Sequence, residues 1–425
     1  MLRNKLTHLV SLKKSEITQK LEHLQSQWQE EKKLVSEMRE LRKKVDICTR
    51  EMDRLDLLAT IQKKSQDLEE VQGEKPLISI NVDGQAIAKV VSSWTGVPVG
   101  KMIKNEMTTL LSMQEQLSKR VMGQDHALAI ITNSLRTARY NLGNPDQPIG
   151  IFLLVGPSGT GKTETALALS DILFGGEHNI ISLNMSEFKE QHASARLIGP
   201  PPGYAGFGKG GLLTEKVRHR PYSVVLLDEI EKSHRDVREF FQQVFDKGYL
   251  ADTEGQIANF RNTVVIMTAN IGDETILDCC FQETNEGLIL PKDPMPPLED
   301  LVKTLQQDLL HYFSTSMLAR VTIVPYYPLT DEVVSNIIEL KLKQIEERLK
   351  QNHKIDFEYE REVVNQINMR CTEVQSGARN VNRIITSTIL PEITSHIIER
   401  LAEGIQTRKI ILSSNEKNGF CYNLQ

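Results

Sequence analysis

The sequence predicts an α/β protein: a parallel sheet flanked by helices, followed by an α-helical lid with a small β hairpin and preceded by coiled-coil helices. Three observations predict it. The apolar run Ile149 to Val155 leads into Gly156-Pro157-Ser158-Gly159-Thr160-Gly161-Lys162-Thr163, and then into the helically spaced apolar residues of Glu164 to Phe174. Strand, glycine loop and helix in direct succession is the βα unit that sets an anion at a helix N-terminus. Two further apolar runs, Val224 to Leu227 and Thr263 to Ala269, end in Asp228-Glu229 and Asn270. Polar groups at the carboxyl ends of buried strands stand where open α/β sheets bind ligands. Finally, residues 1–72 hold neither glycine nor proline and are dense in Lys, Glu, Gln and Leu, the composition of long helices.

From the N-terminus, Ile17, Leu21, Leu24, Trp28, Val35, Met38 and Leu41 recur at a spacing near three to four. That is the seam of one long helix or of a helical hairpin. It serves either as a solvated coiled-coil arm or as a docking surface for partner proteins or neighbouring subunits. Gly73 to Pro76 breaks it. Ile78 to Val82 alternates like a short strand, Ala86 to Ser93 reads as a short helix, and Trp94-Thr95-Gly96-Val97-Pro98-Val99 as a turn. The expected division is 1–75 coiled coil, 76–104 linker, 105–325 large subdomain and 326–425 lid.

The glycine loop fits G-x-x-x-x-G-K-[ST]. Its glycines let successive backbone N–H groups turn onto phosphates, Lys162 brings a point charge to the β and γ phosphates, and Thr163 offers a hydroxyl to Mg²⁺. Asp228-Glu229 by themselves read equally as an acidic turn after a core strand. Beside the glycine loop they read as a Mg²⁺-holding carboxylate and a base that polarises the attacking water. Asn270 alone reads as a turn former; at a third strand end it can orient the same water against the γ phosphate.

Beyond this core, Pro291 to Pro297 lead to a helix near Leu298 to Leu318, and Arg320 stands just before Val321-Thr322-Ile323-Val324-Pro325. Thr330 reads as the N-cap of an amphipathic helix over Val333 to Leu349. Two more helices flank Ser376-Gly377-Ala378-Arg379, and Lys409 to Leu412 with Gly419 to Leu424 read as a closing hairpin. The chain has 425 residues and a net charge of −5, with a pI near 6.1. That length implies more than one domain, and the mild negative charge argues against nucleic acid as the main partner. Cys48, Cys279, Cys280, Cys371 and Cys421 are odd in number and lack C-x-x-C spacing, which reads as reduced thiols in a cytoplasmic protein. No run approaches the ~18 apolar residues of a membrane span, and Met1 to Ser15 lacks the apolar core of a secretory signal.

Glycine loop, acidic strand end and polar strand end, in that order, resemble the ATPases of the AAA+ class. Several segments resemble the second ATPase module of the Clp/ClpB unfoldase family more specifically. They are the linker Trp94 to Val99, Arg120-Val121-Met122-Gly123-Gln124 at the adenine, Asp228-Glu229-Ile230-Glu231-Lys232, the pore loop Gly203-Tyr204-Ala205-Gly206 and the lid motif Gly377-Ala378-Arg379. Phe245-Asp246-Lys247-Gly248, and Leu318-Ala319-Arg320-Val321 running into Val324 to Leu329, resemble its ClpV branch, the ATPases of type VI secretion. The match covers roughly residues 76 to 425, with 1–75 as the end of the family's coiled-coil middle region.

The resemblance implies a homohexameric ring that binds ATP and Mg²⁺ and threads a polypeptide substrate through its pore; for ClpV the substrate is the contracted secretion sheath. It places Val121 and Met122 at the base, Asn270 as sensor, Arg320 as a finger on the neighbouring subunit's ATP, Arg379 at the γ phosphate, and Tyr204 and Ala205 on the threaded chain. The plainer alternatives are Arg320 as a cation at a helix C-terminus, Arg379 as a surface charge at a helix start, and Tyr204 as a ring folded back on its own domain, although a tyrosine between glycines on a loop reads first as an exposed ring able to grip an extended chain. Ala205, Ala319 and Ala269 depart from the family's usual valine, asparagine and serine, and none of these replaces a charged or catalytic group. The N-terminal substrate domain and first ATPase module that the resemblance implies are not in this sequence, which is expected to be a shortened form. Two rival functions remain: a nucleic-acid motor, disfavoured by the charge, and a remnant that binds ATP or partner rings without remodelling, disfavoured by the intact set of site residues.

Overall fold

The computed structural model describes residues 21, 25–41, 43–45, 51–72, 78, 87, 90, 106–140, 142–200, 202–204, 208, 210–283, 289–292, 295–371, 378–405, 407–414 and 419–425. The chain divides into two compact units, Met1–Val90 and Val91–Gln425.

In the first unit, helical residues 25–41 and 43–45 pack beside the helix Glu51–Gln72. Val35, Met38 and Leu68 are buried together, with Leu34, Ile61 and Ile78 against them. The seam therefore closes as a helical hairpin. It is shorter than its spacing suggests: Leu21 and Trp28 are exposed, and the Trp28 ring meets the Lys32 ammonium 4.6 Å from its centroid. A fully buried acid, Glu31, accepts from Gln27 Nε2 at 3.0 Å and from the Ile78 N–H at 2.8 Å. Ile17, Leu24, Gly73 to Pro76, Trp94 to Val99, and most of the strand and helix expected over 78–93 lie outside the described residues.

The second unit is built on strands β1 (Gly150–Val155), β2 (Ile180–Asn184), β3 (Val224–Asp228), β4 (Tyr249–Ala251), β5 (Ile257–Asn259), β6 (Val264–Ala269), β7 (Phe281–Glu283), β8 (Ile289–Pro291), β9 (Thr322–Pro325), β10 (Asp356–Tyr359), β11 (Lys409–Ser414) and β12 (Phe420–Leu424). Five form one parallel sheet in the order β2-β3-β6-β1-β9. Every residue of β1 and β6 is buried, so these strands read as continuous apolar runs and not as alternating ones. Ile151, Leu153 and Val155 face one apolar layer, Phe152 and Leu154 the other. The register sets Val155 beside both Ala269 and Pro325, and Asn184 beside Asp228. The ends carrying Gly156, Asp228 and Asn270 thus lie along one edge.

Several expectations are refined. The helix after the loop begins at Lys162, not Glu164. The hairpins β4–β5 and β7–β8 were not foreseen, because three-residue strands carry no period to read. The helix expected from Leu298 to Leu318 is two, Leu298–Tyr312 and Thr315–Leu318. Phe313 drops into the core in an extended conformation, and Ser314 restarts the helix by accepting the Met317 N–H at 3.3 Å.

The lid has its own core. Its helices are Asp331–His353, Arg361–Arg370, Ala378–Ile384 and Leu390–Ala402, the last two joined by a π-helical turn, Ile385–Ile389. Thr330 caps the first of these as its position predicts. The tail hairpin expected from the sequence is a three-stranded sheet, because β10 adds to β11 in parallel while β12 adds antiparallel. Among the described residues no helix is long and apolar enough to cross a membrane.

Candidate functional site

The loop after β1 is shaped by glycine. Gly156 has φ 151°, and a Cβ there would stand 2.6 Å from the Tyr326 carbonyl oxygen. Gly161, at φ 101°, is the N-cap of the helix Lys162–Phe174. The first N–H groups of that helix lack intrahelical partners and face outward at its positive end. Thr160 is buried and ties the loop by donating to the Pro157 carbonyl at 2.9 Å.

Lys162 is buried. Its ammonium donates to the carbonyls of Gly156 and of Pro157, the latter at 2.8 Å, and to Asn270 Oδ1 at 3.0 Å. Burial pushes its pKa down to about 8; Asp273, Glu231 and Asp228 oppose that and Arg379 adds to it. Behind it stand two acids that the sequence reading did not single out as site residues. Burial pushes the Asp273 carboxyl up to about 6, against the pull of Lys162. Burial also raises Glu231, whose Oε1 accepts the Asn270 N–H at 3.2 Å. Asp273 Oδ1 and Glu231 Oε2 are buried without a hydrogen-bond partner among the described residues.

Glu229 sits in the left-handed region, φ 56°, which it shares among described non-glycine residues only with Lys354. Such a backbone persists when its surroundings hold it. Here Thr268 does so: its Oγ1 accepts the Glu229 N–H at 3.0 Å and donates to Asp228 Oδ1 at 2.5 Å. The Glu229 carboxylate accepts from Lys232 at 2.8 Å. Thr268 was visible in the sequence only as part of an apolar run.

Ser158, Gly159, Gly161, Lys162, Thr163, Asp228, Glu229, Asn270 and Arg379 line one cavity of about 180 Å³. Gly156 and Pro157 do not line it; they act through the carbonyls that hold Lys162. Val121 and Met122 line a second cavity, which shares Gly159, Gly161, Glu164, Ala378 and Asn382 with the first. Thr160, Arg120, Leu329, Ile337, Leu340, Lys341 and Gln344 complete it. Only one side of this recess was legible, since Leu329 and the lid helix Asp331–His353 supply the facing side. Lid and loop touch directly, the Ala378 N–H donating to the Gly159 carbonyl at 3.1 Å.

Arg320 stands apart, at the amino end of β9, the opposite end from the phosphate loop. It pairs with Asp246 and donates to Ser316 Oγ at 2.6 Å. Tyr204 is 70% exposed; Ala205 lies outside the described residues. Among the described residues no cluster of three His, Cys, Asp or Glu side chains could hold a metal. Mg²⁺ needs none: it is commonly held by one or two protein oxygens plus substrate phosphates, and Thr163 and Asp228 line the same cavity.

A phosphate cradle, an acidic strand end and a lid arginine around one cavity define an AAA+ ATPase module. Residues 147–324 match the AAA domain (Cdc48 subfamily), and residues 329–410 match the C-terminal, D2-small domain of ClpB protein. The AAA+ ATPase ClpV1 of Pseudomonas aeruginosa is 44% identical over 96% of this chain and 46% of its own length. ClpB chaperones of Yersinia enterocolitica and Bdellovibrio bacteriovorus are 40% and 36% identical, over 88% and 90% of the chain and 42% and 46% of their own lengths. The chain belongs to the ClpB/ClpV-type AAA+ family, as its second ATPase module. It spans a little under half the length of the curated relatives it matches.

Proposed function

We propose that this chain hydrolyses ATP between its phosphate loop and its lid, and uses the cycle to pull polypeptide past Tyr204 in the channel of a homohexamer. The observation that carries this reading is the division of the catalytic set. Lys162, Thr163, Asp228, Glu229, Asn270 and Arg379 line one cavity, while Arg320 stands at the other end of the sheet. A finger so placed serves a neighbour's ATP, which makes hydrolysis an act of the ring.

In this reading the helix N-terminus and Lys162 hold the β and γ phosphates, and Val121, Met122 and the lid helix enclose the base. Thr163 and Asp228 would hold Mg²⁺, which would supply charge neutralisation at the phosphates. Glu229 takes a proton from water as the water oxygen bonds to the γ phosphorus and the bond to the β–γ bridging oxygen breaks. Asn270 orients that water, and Arg379 carries the change in charge to the lid. The ClpV resemblance supports contracted type VI secretion sheaths as the substrate. The ClpB likeness supports a second reading, general disaggregation.

Mixed rings test the division. Arg320→Ala chains and Glu229→Gln chains are each expected to be inactive, and mixing them should restore turnover at interfaces that pair an intact Glu229 with an intact Arg320. Proven subunit exchange with no recovery overturns the trans assignment. Tyr204→Ala should abolish the ATPase increment that a bound polypeptide induces; rings that still remodel at the normal rate overturn the threading role.

A further inference from the structure

The Tyr204 loop is closed at its base and docked on another element. A Cβ on Gly211 would lie 2.1 Å from the Leu197 carbonyl oxygen, so the chain leaves and re-enters at one point, as in an Ω-loop. The neighbour is the turn of the β4–β5 hairpin. The Thr253 N–H donates to the Ile198 carbonyl at 3.2 Å. A Cβ on Gly199 would meet Thr253 Oγ1 at 2.8 Å, and one on Gly208 would meet Glu254 Oε1 at 3.3 Å.

One side chain organises this junction. Asp252 has a fully buried side chain. Its Oδ1 accepts the N–H groups of Glu254 at 2.9 Å and Gln256 at 2.8 Å, which shape the turn. Its Oδ2 accepts Arg218 Nη1 at 2.6 Å. Arg218 lies on the helix Leu212–His219, into which the loop runs, and also pairs with Glu215 there. The same carboxylate thus fixes the turn and the helix that carries the loop. The Asp252 carboxylate is buried while the Arg218 side chain stays 21% exposed; a charge-assisted pair of this kind favours a fixed geometry, and loss of the guanidinium strands the buried carboxylate.

At its other end the hairpin is rooted in the core. Leu250, Ala258 and Phe260 are buried, and the Phe260 N–H donates to the Gly248 carbonyl at 2.8 Å. Four residues, 260–263, separate β5 from β6, and Thr268 within β6 and Asn270 just past its end line the cavity at the phosphate loop. A single stretch of packed backbone therefore runs from the catalytic edge to the base of the Tyr204 loop.

We propose that the Arg218–Asp252 pair is the pin through which the β4–β5 hairpin holds the Tyr204 loop in register with β6, making both positioning residues for polypeptide engagement. The inference rests on Tyr204 being the residue that grips polypeptide. The test uses the assembled full protein with casein as the stimulating chain, and compares Asp252→Asn, Arg218→Met, Tyr204→Ala and the Asp252→Asn/Tyr204→Ala double variant. Asp252→Asn keeps an oxygen for the two turn N–H groups, so the fold is retained. The expected result is that both single pin variants lose the casein-induced ATPase increment while unstimulated turnover stays near wild type. The double variant should lose no more than Tyr204→Ala, and Arg218→Lys, which keeps the charge, should recover part of the increment. If both pin variants keep the increment, or if their unstimulated turnover falls in the same proportion, the pin is overturned and the Tyr204 reading stands. If Tyr204→Ala keeps the increment, both fall together.

Discussion

The two halves of the nucleotide cavity are built in opposite ways. The phosphate half comes from one contiguous loop and two strand ends, and much of what it offers an anion is backbone: helix N–H groups at the positive end, and Gly156 where a Cβ would not fit. The base half is assembled from side chains far apart in sequence, Val121 and Met122 on one side and Leu329, Ile337, Leu340 and Gln344 on the other. Phosphate needs donors in a fixed cluster, which a short motif can encode. A purine face needs only a flat apolar slot, which many residues can line.

That contrast yields graded predictions. The largest effect belongs to neither half. Arg320→Ala should cut turnover of assembled rings by ~10³-fold or more while nucleotide affinity, read by calorimetry, stays near wild type; affinity falling with turnover would place Arg320 in its own subunit's cavity. Within the phosphate half, Glu229→Gln should lower single-turnover hydrolysis by ~10²–10⁴-fold and leave ATP trapped intact. Within the base half, Ile337→Ala should raise KM about tenfold, equivalent to ~1.4 kcal/mol of lost apolar contact, with kcat little changed; a kcat loss as large as that of Glu229→Gln would erase the contrast.

The smallest effect concerns the acid behind Lys162. Asp273 has a folded pKa near 6, above its ordinary 3.8, so the folded chain binds this proton more tightly than the unfolded one. Stability from this group is present below 3.8 and is lost as pH rises through 6. Asp273→Asn should therefore raise Tm above pH 7 and change it little near pH 4, by about 1 kcal/mol or ~2 °C after allowance for solvent screening. A gain that is the same at both pH values would show that packing, not charge, is responsible.

Most of the phosphate half was legible because each residue sits in a local pattern: glycines at fixed offsets, acids directly after an apolar run, an amide at a strand end. The edge strand β2 was not singled out, since its five residues, Ile180–Asn184, alternate in burial and carry no motif. Thr268 was hidden for a similar reason. Its role depends on β6 lying beside β3, which brings its hydroxyl to Asp228 and to the Glu229 N–H. The break at Phe313 was invisible because its cause is burial against a core that forms only on folding.

The sequence by itself determined the class of fold, the phosphate loop with Lys162 and Thr163, the acid pair, and the helix that Thr330 caps, because each depends on interactions within a few residues along the chain. Only the tertiary structure decided that Lys162 and Asn270 share a hydrogen bond, that Asp273 and Glu231 stand behind them, that the lid closes the base side, and that Arg320 faces away. These depend on strand order and on packing between segments tens to hundreds of residues apart, and no local spacing encodes distances across a sheet.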